Sequence, residues 1–175
     1  MHLSQKEFCL SVKNKFPDSF KNCNVLDIGS LDVNGNNRYL FEECTYTGVD
    51  LAEGWNVDIV SKGHEFNPGK QYDVVISTEC FEHDPYWNKT IENCINLTKS
   101  GGLFLFTCGS EGRPEHGTTR SRSPWASPFS HVLFNEYYRN LSPEDVLPIL
   151  QDKFNPMELE DNRVEFDLYF YGIRK

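Results

Sequence analysis

Apolar positions in this chain fall in short dense runs at residues 24–28, 46–49, 73–77 and 103–106, each bounded by Gly, Asn, Asp, Ser or Lys. Runs of that length with little polar alternation are expected of strands covered on both faces, as in a parallel sheet. Residues 4–15 differ: Phe8, Leu10 or Val12, and Phe16 recur at helical spacing and stop at Pro17, which predicts a helix laid on the sheet before the first strand. Residues 38–43 are assigned to the first crossover helix. A second helix is predicted over 86–97, with Asp84 as its N-cap and Pro85 at the first helical position, and a third from Ser142 as cap to about Leu150. A strand near 156–160 precedes one over 163–173. There Val164, Phe166, Leu168 and Phe170 alternate with Glu165, Asp167, Tyr169 and Tyr171.

The next apolar stretch after the second strand, 57–60, follows only six residues later, too few for a normal crossover helix. One covering helix is therefore expected to be missing or reduced to a turn. The exposed face must then be capped by Trp55 or Phe66, or by a second copy of the chain in a homodimer.

The first strand ends as Asn24-Val25-Leu26-Asp27-Ile28-Gly29-Ser30, and the second as Tyr46-Thr47-Gly48-Val49-Asp50. A strand that breaks at a glycine, followed by a strand tipped with a carboxylate, is how open α/β sheets build a nucleoside site. Gly29 lets the backbone approach a ligand, and Asp50 can accept from both ribose hydroxyls. A dinucleotide loop would read G-x-G-x-x-G, yet the second and third glycine positions hold Leu31 and Asn34. Asp27 and Asp32 flank this loop and no Lys or Arg falls between Asn24 and Asn37. Such a loop repels a pyrophosphate and attracts a ligand carrying a sulfonium and an ammonium group, such as S-adenosylmethionine (SAM).

These motifs resemble those of the class I SAM-dependent methyltransferases. Val25 to Ser30 is similar to the family's first motif and Tyr46 to Leu51 to its second. The stretch from Gln71 through Phe81-Glu82-His83 is similar to the fourth strand and its loop, and Leu97-Thr98-Lys99-Ser100-Gly101-Gly102 to the turn before the fifth. The resemblance covers about residues 20–110, departing at Leu31 and Val33 where many members carry Gly. It implies a doubly wound, mostly parallel seven-stranded sheet closed by an antiparallel C-terminal strand, with SAM as cofactor. It implies that Asp27 and Gly29 cradle the methionine end with Ser30 nearby, that Asp50 holds the ribose, and that Leu51 touches adenine. Gly63 and His64 align with the adenine-edge segment, although Lys62 stands where many members carry an acid. Thr78 and Glu79 are expected below the methionine amine.

The 175 residues suit one methyltransferase-like domain: a helix to residue 20, a cofactor core over 21–108, a lid over 109–140, and a closing helix and strands over 141–175. Mean hydropathy is −0.54 and no apolar run approaches a membrane span, while the N-terminal residues lack a signal peptide's apolar core, so a cytoplasmic protein with no membrane partner is expected. The six cysteines are scattered, without a C-x-x-C pair or histidines at ligand spacing, and read as reduced small hydrophobes, with no metal expected. A net charge of −9 argues against a nucleic-acid partner. Asp84-Pro85-Tyr86-Trp87 superficially matches the D-P-P-Y motif of DNA amino-methyltransferases but lies too late and has one proline.

The lid is rich in Gly, Ser and Pro and follows the fifth strand, where such folds place substrate residues. Arg113, Arg120, Arg122 and Arg139 could clamp an anionic group on the acceptor, or pair instead with Glu111, Glu115 and Glu136. Trp125, Phe129, Tyr137 and Tyr138 could wall a ring-shaped acceptor or serve only in packing. Methyl transfer is an in-line displacement needing alignment more than a nucleophile from the protein, but a hydroxyl acceptor benefits from a general base. His83 is the leading candidate, although a histidine there is often a scaffold residue in the resembled family, and His116 is second. The preferred reading is a methyltransferase acting on a small polar acceptor, such as a sugar. A nucleic-acid or protein methyltransferase, and a SAM-binding scaffold without turnover, are the alternatives.

Overall fold

In β1 (Asn24–Ile28), four successive side chains from Val25 to Ile28 are buried, so the strand is covered on both faces as its sequence requires. The structure is a computed structural model that describes residues 2–175; Met1 lies outside them. Six more strands join β1: β2 (Thr45–Asp50), β3 (Ile59–Val60), β4 (Tyr72–Thr78), β5 (Thr98–Gly109), β6 (Phe154–Asn162) and β7 (Asp167–Arg174). They form one seven-stranded sheet in the order β3-β2-β1-β4-β5-β7-β6. The first five strands run parallel, while β7 lies antiparallel between β5 and β6. This is the mostly parallel sheet with antiparallel closure that the motifs implied. Because β7 runs backwards, its first residue, Asp167, pairs with Gly109 at the edge where the parallel strands end.

Alternate residues of the strands feed two cores. On one face, Val25, Val74, Ile76 and Leu103 pack against Cys9 and Val12 of helix α1 (Leu3–Lys15) and against Phe20 and Leu40. On the other, Leu26, Val75, Phe104 and Phe106 meet Ile91, Cys94 and Ile95 of α2 (Trp87–Leu97). A four-residue helix, α3 (Ser130–Leu133), lies in the lid, and α4 (Pro143–Leu150) adds Val146 and Leu150 to the second core. Each such side chain contributes roughly 1.5–3 kcal/mol on full burial. Ser142 caps α4 in a reciprocal pair with Asp145, as its sequence predicts.

Several expectations need correction. Residues 38–43 do not form a crossover helix: only Arg38–Leu40 make a single 3-10 turn. The preceding segment is spent on a loop in which Asp32 accepts from Gly35 N–H and Asn36, and α1 covers this face instead. The helix missing after β2 is indeed absent. Trp55 does not cap the gap, being 86% exposed, whereas Phe66 is buried in the second core. Asp84 is not the N-cap of α2; Tyr86 is, and Asp84 accepts from the Tyr86 amide and the Thr90 hydroxyl just ahead of it. The last strand begins at Asp167, because Asn162 Oδ1 accepts from the amides of Val164 and Glu165 and closes a turn there. All six cysteines are free thiols, and no helix among the described residues is long and apolar enough to cross a membrane.

Candidate active site

The C-terminal ends of β1, β2 and β4 open into a cavity of about 280 Å³ roofed by the lid. Gly29 stands at its floor with φ of +78°, and a Cβ there would lie 2.5 Å from Cys80 Sγ, so only glycine fits the break after β1. Asp27 is buried just before it. Its Oδ2 accepts from the Tyr46 hydroxyl at 2.5 Å and from Asn37 at 3.4 Å, while Oδ1 has no partner. Burial pushes the Asp27 carboxyl up to about 7, against the pull of Tyr46 and Asn37. Asp50 accepts from the Leu31 amide at 2.9 Å and the Leu51 amide at 2.7 Å, and burial raises its carboxyl despite both. Leu51, Gly63 and Thr78 also line the cavity. Ser30 lines it but is tied to Asn56 through its hydroxyl and its carbonyl. His64 does not line it: its ring packs on Tyr86 with centroids 4.2 Å apart, and the neighbouring Lys62 pairs with Glu65.

Glu79 follows β4 with φ of +54° and joins an ionic cluster that the sequence did not announce. Arg113 bridges Asp167 at 2.7 Å and Glu79 at 3.4 Å, His2 Nε2 lies 2.8 Å from Asp167, and Thr107 donates to Glu79 at 2.8 Å. Burial alone would raise Glu79, but His2 and Arg113 outweigh it and hold its carboxyl below the ordinary range. His2 is in turn raised to about 9, chiefly by its bond to Asp167. His2, Asn37 and Asp167 were not singled out from the sequence. The His2–Asp167 contact joins residues far apart in sequence, and no local pattern encodes such a contact.

At the other side of the cavity, His83 and His116 meet edge to face with ring centroids 4.8 Å apart, and Tyr138 packs against both. His83 is 6% exposed, and burial, reinforced by His116, pushes its imidazole down to about 3. Burial also lowers His116. Beside them Glu82 is fully buried, and burial with the charge of Glu79 raises its carboxyl well above the usual range. Ser127, Phe129, Ser130 and Phe134 of the lid complete this wall.

Of the lid arginines only Arg113 faces the cavity. Arg120 pairs with Glu115 at 2.7 Å and with Glu136, and Arg139 pairs with Asp145 at 2.5 Å while lying over Trp87. Arg122 is exposed, Trp125 is 68% exposed, and Tyr137 stands outside the cavity wall. Tyr138 reaches the site through its ring and donates its hydroxyl to the Pro114 carbonyl.

A Rossmann-like sheet with a glycine break after β1, a carboxylate ending β2 and an antiparallel β7 defines a class I SAM-dependent methyltransferase. Residues 2–140 match the family described as Methyltransferase domain, and the chain belongs to that family. No curated protein matches the chain by sequence. Among solved structures it is similar to the 1,6-didemethyltoxoflavin-N1-methyltransferase of Burkholderia thailandensis, with TM-score 0.66 and 13% identity over 98% of this chain and 78% of that one. It is similar to the N-methyltransferase NodS of Bradyrhizobium japonicum, with TM-score 0.61 and 14% identity over 97% of this chain and 96% of that one. Phosphoethanolamine N-methyltransferase 2 of Haemonchus contortus gives TM-score 0.66 and 17% identity over 96% of this chain, which spans 52% of that longer protein. At these identities the likeness is one of fold.

Proposed function

We propose that this chain methylates a small polar acceptor held between the strand ends and the lid. The observation that carries the reading is one continuous cavity, which runs from Asp27, Gly29 and Asp50 to His83 and His116 under lid residues Ser127, Phe129 and Phe134. SAM supplies a methyl group already activated by the sulfonium. The residues suit it: Asp27 Oδ1 is a buried acceptor without a partner and fits an ammonium, and the Gly29 backbone, free to turn because it has no Cβ to strike Cys80, borders the same cavity. Asp50, oriented by the Leu31 and Leu51 amides, retains lone pairs for the ribose hydroxyls.

The remaining work of the chain is alignment and exclusion of water. Phe129 and Phe134 cover the acceptor end, while Ser127 and Ser130 offer hydroxyls to a polar acceptor. His83, neutral at physiological pH, brings an imidazole lone pair to the acceptor end of the cavity. The small size of the acceptor is favoured by the pairing of Arg113, Arg120 and Arg139 with carboxylates, which leaves little basic surface for a phosphate backbone.

Calorimetric titration with SAM and S-adenosylhomocysteine, beside NAD, tests the cofactor site. Asp50→Ala is expected to cost about 1–3 kcal/mol of affinity, as for loss of a charged hydrogen-bond partner. Binding of NAD in preference to either sulfur nucleoside, or unchanged affinity in the variant, would overturn the assignment.

A further inference from the structure

Glu82 is fully buried, and neither of its carboxylate oxygens has a hydrogen-bond partner. The nearby amides of Glu82 itself and Gly109 pull its carboxyl down, but they do not offset burial and neither makes a well-formed hydrogen bond to it. An orphaned carboxylate is among the costliest groups a protein interior can hold. One ligand atom each from Glu82, His83 and His116 lies within 4.8 Å of the others. His116 Nδ1 is 3.1 Å from the Pro114 carbonyl, so with its proton directed there Nε2 is left as a lone pair, and this Nε2 is 3.9 Å from Glu82 Oε1. A backbone carbonyl that fixes the second ring nitrogen is the usual support of a metal-binding histidine. Nδ1 of His83 is likewise buried and without a partner. Glu79 adds a second negative charge nearby, and both histidines border the cavity.

We infer that Glu82, His83 and His116 form a divalent-cation site at the acceptor end of the cavity. Two imidazoles and one carboxylate suit Zn²⁺, Co²⁺, Fe²⁺ or Mn²⁺ far better than Mg²⁺, which favours oxygen ligands and retains its waters. Three protein ligands leave coordination positions open for a substrate, the pattern of catalytic sites as opposed to closed structural ones. The role of the ion rests on the methyltransferase reading: it selects an acceptor that donates an oxygen lone pair, which makes the substrate a hydroxyl compound. Coordination lowers the hydroxyl pKa, so its proton leaves to solvent. The freed oxygen pair forms the O–CH₃ bond, and the electrons of the broken S–CH₃ bond remain on sulfur.

The test is titration of the EDTA-treated full chain with ZnCl₂, CoCl₂ and MgCl₂, followed by calorimetry and, for Co²⁺, by visible absorption. One Zn²⁺ or Co²⁺ per chain is expected, with Mg²⁺ at least tenfold weaker. Glu82→Gln and His116→Ala, each checked for folding by circular dichroism, should weaken Zn²⁺ at least tenfold, while His131→Ala binds as wild type. Absence of stoichiometric binding, or equal binding by both variants, overturns the site and leaves Glu82 as a protonated buried acid. S-adenosylhomocysteine titrated into the same wild-type sample separates the two claims. Metal binding without nucleoside binding removes the catalytic role but supports the site, and nucleoside binding without metal removes the site alone.

Discussion

Replacing Asp27 with asparagine separates the cost of a buried charge from its use. The carboxyl is raised to about 7 in the folded protein from an ordinary 3.8, so the native state holds its proton where the unfolded chain has lost it. Stability from this residue therefore falls as pH rises from about 4 to about 7 and is level above that. The amide of the variant does not titrate in this range. Between pH 5.5 and pH 8 the wild type crosses about 1.5 units of that window, and at 1.36 kcal/mol per unit it loses about 2 kcal/mol relative to Asp27→Asn. For a chain of this size that is roughly 4–8 °C in Tm. Melting both proteins at pH 5.5 and pH 8 should show the variant gaining on the wild type by that margin at the higher pH. The same variant should bind SAM about ten- to hundredfold more weakly at pH 8, because an amide replaces the ionised partner of an ammonium group. A melting gap that is the same at both pH values refutes the buried-charge account, and undiminished SAM affinity refutes the role given to Oδ1.

Three further outcomes follow from the packing. Gly29→Ala places a Cβ 2.5 Å from Cys80 Sγ at a φ of +78°, and should cost about 1–3 kcal/mol in a urea melt together with most SAM affinity. Phe104→Ala removes a fully buried ring packed at a tilt against Phe106, Phe154 and Phe170, with an expected loss of about 3–5 kcal/mol by denaturant titration. Arg113→Met strips Asp167 of its closest cation, leaving only His2, and should cost about 2–4 kcal/mol; adding Asp167→Asn should recover part of that loss, and a purely additive double variant would contradict the coupling.

The parts legible in the sequence are those in which the signal is local. β1, β2, β4 and β5 read directly as apolar runs, and Asp27, Gly29 and Asp50 lie where a strand end must place them. Ser142 likewise reveals its capping pair with Asp145 within four residues. What was missed depends on distant partners. Residues 38–43 carry helix-compatible side chains, yet α1 already occupies the face they would cover. His64 sits beside Gly63 in sequence but turns to Tyr86, because α2 presents that ring outside the cavity. Arg120 takes Glu115 and Glu136, two of the three lid carboxylates legible as partners, whereas Asp145 and Asp167, which neutralise Arg139 and Arg113, come from distant elements that the local sequence does not announce.

The antiparallel β7 has a consequence for synthesis on the ribosome. It inserts Leu168 and Phe170, both fully buried, between β5 and the edge strand β6, so the sheet lacks an inner member until residues 167–174 have emerged. Until then β5 is an unpaired border, with Phe104 and Phe106 on one side and Leu103 and Leu105 on the other, the kind of surface that recruits other nascent chains. A chain truncated before Asp167 would thus be a chaperone client in place of a weakened enzyme, and a delay in translating residues 167–174 would prolong the same exposure.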